Sequence, residues 1–185
     1  MKEKVILSGN CSWTFEAVFQ HIKGVTDVKS GTYSLKPYEF KFNEKDKVEA
    51  VSLEFDNSIV SLDKILDIFY AIHNPNINSW IEEKCFSYYH RSAIIVNKEQ
   101  KEIADKKVKE VSDSQVFGDS TEYGGSVNTK VIIYLDNELF ESIREKEKDF
   151  FKNNPKDPYS VSMILPKLKK IKEKFPHYFE GEFDE

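Results

Sequence analysis

Cysteine is scarce in this chain. Only Cys11 and Cys85 occur, too few for a disulfide scaffold and too few for a zinc site without histidine or carboxylate help. The histidines, His21, His73, His90 and His177, lie scattered without ligand-like spacing, so no metal is expected. Long apolar runs are missing as well. Nothing approaches the roughly 18 residues a membrane span needs, and the apolar stretch near Met1 to Ser8 is too short for a signal peptide. A basic field is absent: the net charge is −5 with both signs mixed, which argues against nucleic acid as the main partner. These absences predict a protein of the cytoplasm, away from membranes and nucleic acid; a monomer is expected.

What is present suits a packed core. Hydrophobic residues make up 39% and aromatics 14% of the 185 residues, enough for one domain spanning 1–185. Its core is expected over about 3–155, with an extension over about 156–185. Lys4 to Ser8 reads as a short buried strand, broken by Gly9-Asn10. Phe15, Val18, Phe19 and Ile22 then fall at helical spacing, and Gly24 is a natural stop. Val25 to Tyr33 and Val48 to Phe55 read as strands. Ser61 can cap a helix whose stripe is Leu62, Ile65, Leu66, Phe69 and Ile72, closed by Pro75. Ser92 to Val96 is a fourth strand. This β-α-β-β-α-β order predicts an α+β fold: a two-layer sandwich with a ferredoxin-like split β-α-β core, its helices on one face. Beyond it the pattern predicts a helix over about 98–111, a loop over 112–128, a strand from Lys130 to Leu135 and a helix over about 138–152. A tail, a short lysine-rich helix from Pro166 to Lys174 and a frayed acidic end close the chain.

Cys11 stands where the first strand meets the first helix. Unpaired N–H groups and the positive helix end would stabilise a thiolate there and lower its pKa, which makes the thiol a candidate nucleophile. A buried, inert cysteine fits that position equally well. Glu49 shares parity with Val51, Leu53 and Phe55 and should face the buried side. Desolvation would raise its pKa and let it hold a proton as a general acid. The alternative is a frayed strand start with the carboxylate in solvent.

Gly9-Asn10-Cys11-Ser12-Trp13-Thr14-Phe15-Glu16-Ala17-Val18-Phe19 resembles the signature of the methionine sulfoxide reductase A family, in which Gly-Cys-Phe-Trp-Gly precedes Val-Glu-x-x-Phe. Gly24-Val25, Val48-Glu49-Ala50-Val51, His73-Asn74-Pro75 and Arg91-Ser92-Ala93-Ile94 are similar to further family stretches, in the same order. Asn153-Asn154-Pro155, Pro158-Tyr159 and Pro166-Lys167-Leu168 resemble longer members. The resemblance implies attack of a thiolate on a methionine S-sulfoxide, free or in a protein. A glutamate then protonates the departing oxygen, and a cysteine sulfenic acid forms that a second thiol resolves. It implies Cys11 as nucleophile, Glu49 as acid, and Trp13, Ser12, His90 and Tyr38 around the substrate. No cofactor is implied beyond an external thiol reductant, thioredoxin or dithiothreitol.

The sequence departs from the family pattern at several of these places. Ser12 replaces a pocket phenylalanine, Cys85 falls where the family has an aspartate, His90 replaces a tyrosine and Ser160 replaces the late resolving cysteine. Two readings follow: an active reductase in which Cys85 resolves the Cys11 sulfenic acid, or a degenerate, non-catalytic binder of oxidised methionine or a peptide. Lys167, Lys169, Lys170, Lys172 and Lys174 read as a solvated helix face, with a docking patch for an acidic partner as the alternative.

Overall fold

The computed structural model describes residues 1–35, 47–75, 88–117, 127–133, 139–143 and 147–183. Tyr38, Trp80 and Cys85 lie outside the described residues. Strand β1 (Lys2–Ser8) leads into helix α1 (Ser12–Phe19), strands β2 (Val25–Ser34) and β3 (Lys47–Asp56), helix α2 (Leu62–Ile72) and strand β4 (Ala93–Val96). Helix α3 (Lys101–Asp113), strands β5 (Lys130–Ile133) and β6 (Phe140–Ser142) and helices α4 (Phe150–Asn153) and α5 (Leu165–Lys174) complete it.

The sheet order is β5-β4-β1-β3-β2-β6. Its inner four strands are the expected split β-α-β core, all pairs antiparallel, with Val5 opposite Leu53, Leu7 opposite Ile94 and Ser30 opposite Val51. Strand β5 adds parallel to β4 and β6 antiparallel to β2. Strand alternation sorts the side chains. Val5, Leu7, Val51, Leu53, Phe55, Ile94 and Val96 face α1 and α2 in the main core, while Ile6, Tyr33, Val48, Ala50, Ala93 and Ile95 form a smaller cluster. The α2 stripe is buried along its whole length, and Ser61 Oγ caps the helix by accepting the Lys64 N–H at 3.3 Å. Each such side chain contributes about 1.5–3 kcal/mol of burial free energy. Among the described residues no helix is long and apolar enough to cross a membrane.

Two sequence expectations fail near the C-terminus. The helix expected over 138–152 is instead strand β6 followed by the single turn α4. Tertiary pairing outweighs local propensity there: Phe140 packs with Tyr33, and Gly31 lies opposite Ser142 so closely that a Cβ on it would stand 2.3 Å from the Glu141 carbonyl oxygen. Up to Phe183, the last described residue, the acidic end is docked rather than frayed: the Glu180 N–H donates to the His21 carbonyl at 2.8 Å and Phe183 meets the His21 and Phe179 rings edge-on. Phe179 bridges to Ile22 and stacks on His21 at 5.5 Å, and the Lys23 N–H donates to the Tyr178 carbonyl at 2.8 Å. Ile164, Leu168 and Ile171 also enter the main core, which brings the segment around Tyr159 over α1.

Candidate active site

Gly9 takes a φ of 154°, and a Cβ there would stand 2.6 Å from the His73 ring, so the turn out of β1 requires glycine. Asn10 Oδ1 accepts the Cys11 N–H at 2.8 Å. Cys11 then becomes the N-cap of α1 with φ −54° and ψ 131°, and its carbonyl accepts the Thr14 N–H at 3.0 Å. The thiol is half-buried at the positive end of the helix.

His73 braces this turn. Its Nδ1 lies 2.7 Å from the Phe69 carbonyl and its Nε2 3.0 Å from Ser92 Oγ. A carbonyl only accepts, so Nδ1 carries the proton and Nε2 accepts from the serine. Burial pushes the imidazole down to about 4, so the ring is neutral near pH 7. It is a structural strut rather than a proton carrier.

Glu49 sits on β3 with the parity of Val51, Leu53 and Phe55, facing α1. Its Oε2 accepts the Ser12 N–H at 3.0 Å, and its Oε1 lies 3.6 Å from His90 Nε2. The Cys11 side chain also favours its charged form. The carboxyl is 32% exposed, neither deep in the core nor in open solvent. Ser12 contributes through its backbone: its N–H serves Glu49 and its carbonyl accepts the Ser30 hydroxyl at 3.3 Å. Arg91 holds its place by donating to the Lys47 carbonyl at 3.4 Å.

The protonation pattern reverses both sequence expectations. Burial pushes the Cys11 thiol up, and the Glu49 charge adds to it; the Tyr159 hydroxyl and the N–H groups of Trp13 and Thr14 pull the other way without prevailing. For Glu49, burial opposes ionisation, yet the His90 ring, the Ser12 N–H and the Cys11 thiol together hold its carboxyl below its ordinary value. The helix end does favour a thiolate, as its N–H contributions show, but an adjacent carboxylate at the same helix end competes for that stabilisation. The resting arrangement is therefore a neutral thiol beside a carboxylate.

Three further side chains build the surroundings of Cys11 and Trp13. The Tyr159 hydroxyl bonds the thiol and lies 3.0 Å from Thr14 Oγ1; burial pushes the phenol up. Phe150 stacks on Trp13 with centroids 4.1 Å apart and 4° between planes, and Tyr159 meets both rings edge-on at 6.2 Å. Lys167, read from sequence as part of a solvated lysine face, is half-buried. Burial holds its ammonium below the ordinary value while the Cys11 charge pulls it back up. The Pro158-Tyr159 and Pro166-Lys167 motifs mark two of these residues. Nothing in the local pattern marks Phe150, whose segment reads as a helix. Ser160, beside Tyr159, is fully buried.

Comparison with known proteins bears on this arrangement. The family described as peptide methionine sulfoxide reductase matches residues 3–178. The peptide methionine sulfoxide reductase MsrA of Pasteurella multocida is 31% identical over 180 residues, covering 95% of this chain and 97% of its own. That of Saccharolobus solfataricus is also 31% identical over 180 residues, covering 94% and 95%. Among solved structures, methionine sulfoxide reductase A of Corynebacterium diphtheriae superposes with a TM-score of 0.63 at 17% identity, over 83% of this chain and 76% of that one. Reduced Mxr1 from Saccharomyces cerevisiae gives 0.60 at 19%, over 84% and 87%.

Proposed function

The chain belongs to the peptide methionine sulfoxide reductase family, and we propose that Cys11, Glu49 and the aromatic cluster around them carry that family's reaction here. The protein is an oxidoreductase that reduces methionine sulfoxide and thereby repairs oxidised proteins. No comparison favours a non-catalytic binder.

The observation that carries the site assignment is the convergence of Cys11 and Glu49 on one helix start, where the Ser12 N–H next to Cys11 donates to Glu49 Oε2 at 3.0 Å and the Glu49 charge acts on the thiol. The thiol gives its proton to the Glu49 carboxylate. The thiolate, held by the Trp13 and Thr14 N–H groups and the Tyr159 hydroxyl, attacks the sulfoxide sulfur. Glu49 returns the proton to the sulfoxide oxygen as that oxygen transfers to Cys11, so methionine leaves and Cys11 becomes a sulfenic acid. Atoms balance: a thiol and a sulfoxide become a sulfenic acid and a thioether. Lys167 supports the developing thiolate charge. Trp13 takes the methyl side of the substrate. Ser12, His90 and Tyr38 complete its surroundings, with His90 tied to Glu49 at 3.6 Å.

Reduction of the sulfenic acid needs a second thiol. Cys85 is the other cysteine of the chain and is our candidate for the resolving residue, with thioredoxin or a small dithiol such as dithiothreitol as the external reductant and no other cofactor. The scarcity of cysteine in the sequence fits a reducing, cytoplasmic compartment, where we expect a monomer. Turnover of the S and R epimers with dithiothreitol and then thioredoxin, on wild type, Cys11→Ser and Cys85→Ser, tests the assignment. Loss in Cys11→Ser with both reductants is expected. Retention of dithiothreitol-driven turnover in Cys85→Ser with loss of thioredoxin-driven turnover would support its resolving role. Full activity in Cys11→Ser would overturn the site.

A further inference from the structure

We propose that Glu16 is a positioning residue for the reductase reaction, holding Phe150 flat against Trp13 and so fixing the aromatic wall beside Cys11. The proposal rests on the reading of the site above and adds a residue that contacts neither substrate nor thiol.

Glu16 is 2% exposed, and a carboxyl is rarely buried unless donors converge on it. They do: the backbone N–H groups of Asp149 and Phe150 lie against it and favour its charged form. Asp149 adopts a left-handed φ of 52° and ψ of 39°, a conformation that a non-glycine residue holds when its surroundings impose it. Gln20 Nε2 adds a 2.7 Å hydrogen bond to Asp149 Oδ1. Residues 13, 16 and 20 lie along one face of α1 and its C-cap. That face grips one segment three times: Trp13 takes the Phe150 ring, Glu16 the backbone at 149 and 150, and Gln20 the Asp149 side chain.

Core burial alone does not require this grip. Phe151 is the α4 side chain that enters the core, at 8% exposed, while Phe150 stays half-buried on the site side. What the Glu16 contacts fix is the direction of Phe150, and through it the stack on Trp13 and the edge contact to Tyr159.

The test uses Glu16→Gln, Glu16→Ala, Phe150→Ala and the Glu16→Gln/Phe150→Ala pair. Glutamine keeps the shape and one acceptor oxygen but presents an amide donor to a backbone donor. If Glu16 acts through Phe150, Glu16→Gln and Phe150→Ala each raise KM for methionine sulfoxide by roughly 2–10-fold, the worth of an aromatic pair, with kcat little changed. The pair is then no worse than the larger single effect. In a Trp80→Phe background Trp13 is the sole tryptophan, and its fluorescence becomes more accessible to acrylamide in Glu16→Gln and Glu16→Ala. Unchanged KM and quenching in Glu16→Gln, or effects on KM that multiply in the pair, would overturn the proposal. Quenching needs no turnover, so it judges Glu16 even where the reductase site assignment fails.

Discussion

The Ser12 N–H donates to Glu49 Oε2 at 3.0 Å, which ties the carboxylate of β3 to the first turn of the helix that Cys11 caps. One helix end thus serves two acidic groups at once. The thiol and the carboxyl share its N–H donors, and a single proton between them sets which is charged. Burial, with the Glu49 charge added to it, pushes Cys11 up despite its helix start, while the His90 ring and the Ser12 N–H hold the partly desolvated Glu49 ionised.

Removing the carboxylate charge should separate the two effects. In Glu49→Gln the Cys11 thiol ionises at lower pH than in wild type, because the Glu49 charge that raises it is gone. Turnover nevertheless falls by roughly 10²–10⁴-fold, the usual worth of a general acid. Thiol titration and kcat measured on the same samples check both. A wild-type kcat in this variant would remove Glu49 from the proton path.

Tyr159→Phe keeps the ring against Trp13 and Phe150 but deletes the hydroxyl that bonds the thiol. The thiol should then titrate at higher pH, and kcat/KM should fall by about 10–100-fold, as for loss of a hydrogen bond to a charged group. The paired shift in thiol titration distinguishes this from a packing defect.

His73 makes stability fall with acid. Its folded-state pKa of about 4 lies below the ordinary 6.5, so the unfolded chain binds more protons between those values and stability rises with pH across them. Roughly 3 kcal/mol should be lost as pH falls from 6.5 to 4. Urea midpoints followed over that range check it, with His73→Asn, less stable at pH 7, showing a shallower dependence.

Gly31→Val should destabilise the sheet edge. Its Cβ would meet the Glu141 carbonyl at 2.3 Å and the Phe140 ring at 2.6 Å, so β6 must move off β2. A loss of about 1–3 kcal/mol is expected, read from denaturant midpoints.

Much of the core was legible because its elements carry uninterrupted periodic signals: the α2 stripe, the alternation of β3 and the apolar run of β4 each name one face. The segment from 138 to 152 was not, because three residues of edge strand owe their state to the open side of β2 and to Gly31, neither of which is local. At the site, Cys11 and Glu49 were found by position and parity. Their charges were misjudged because Cys11 was considered against the helix end without its burial or the Glu49 charge, and Glu49 against burial without the His90 ring and the Ser12 N–H. His90 was placed beside them by resemblance and lies within reach of Glu49. Phe150 and Glu16 stayed hidden because their partners are 137 and 133 residues distant in sequence, from Trp13 to Phe150 and from Glu16 to Asp149. Lys167 was hidden because four other lysines surround it in the same short helix.

The central claim is that Cys11 takes the oxygen from the substrate. The direct measurement is a single turnover of methionine S-sulfoxide by the Cys85→Ser protein without reductant, with methionine quantified and Cys11 analysed by mass spectrometry after trapping of sulfenic acid. The account predicts one methionine released per chain and one trapped sulfenic acid, located at Cys11, and neither product in the protein that also carries Cys11→Ser. Methionine release by that doubly substituted protein, or release by Cys85→Ser with Cys11 left unmodified, would contradict it.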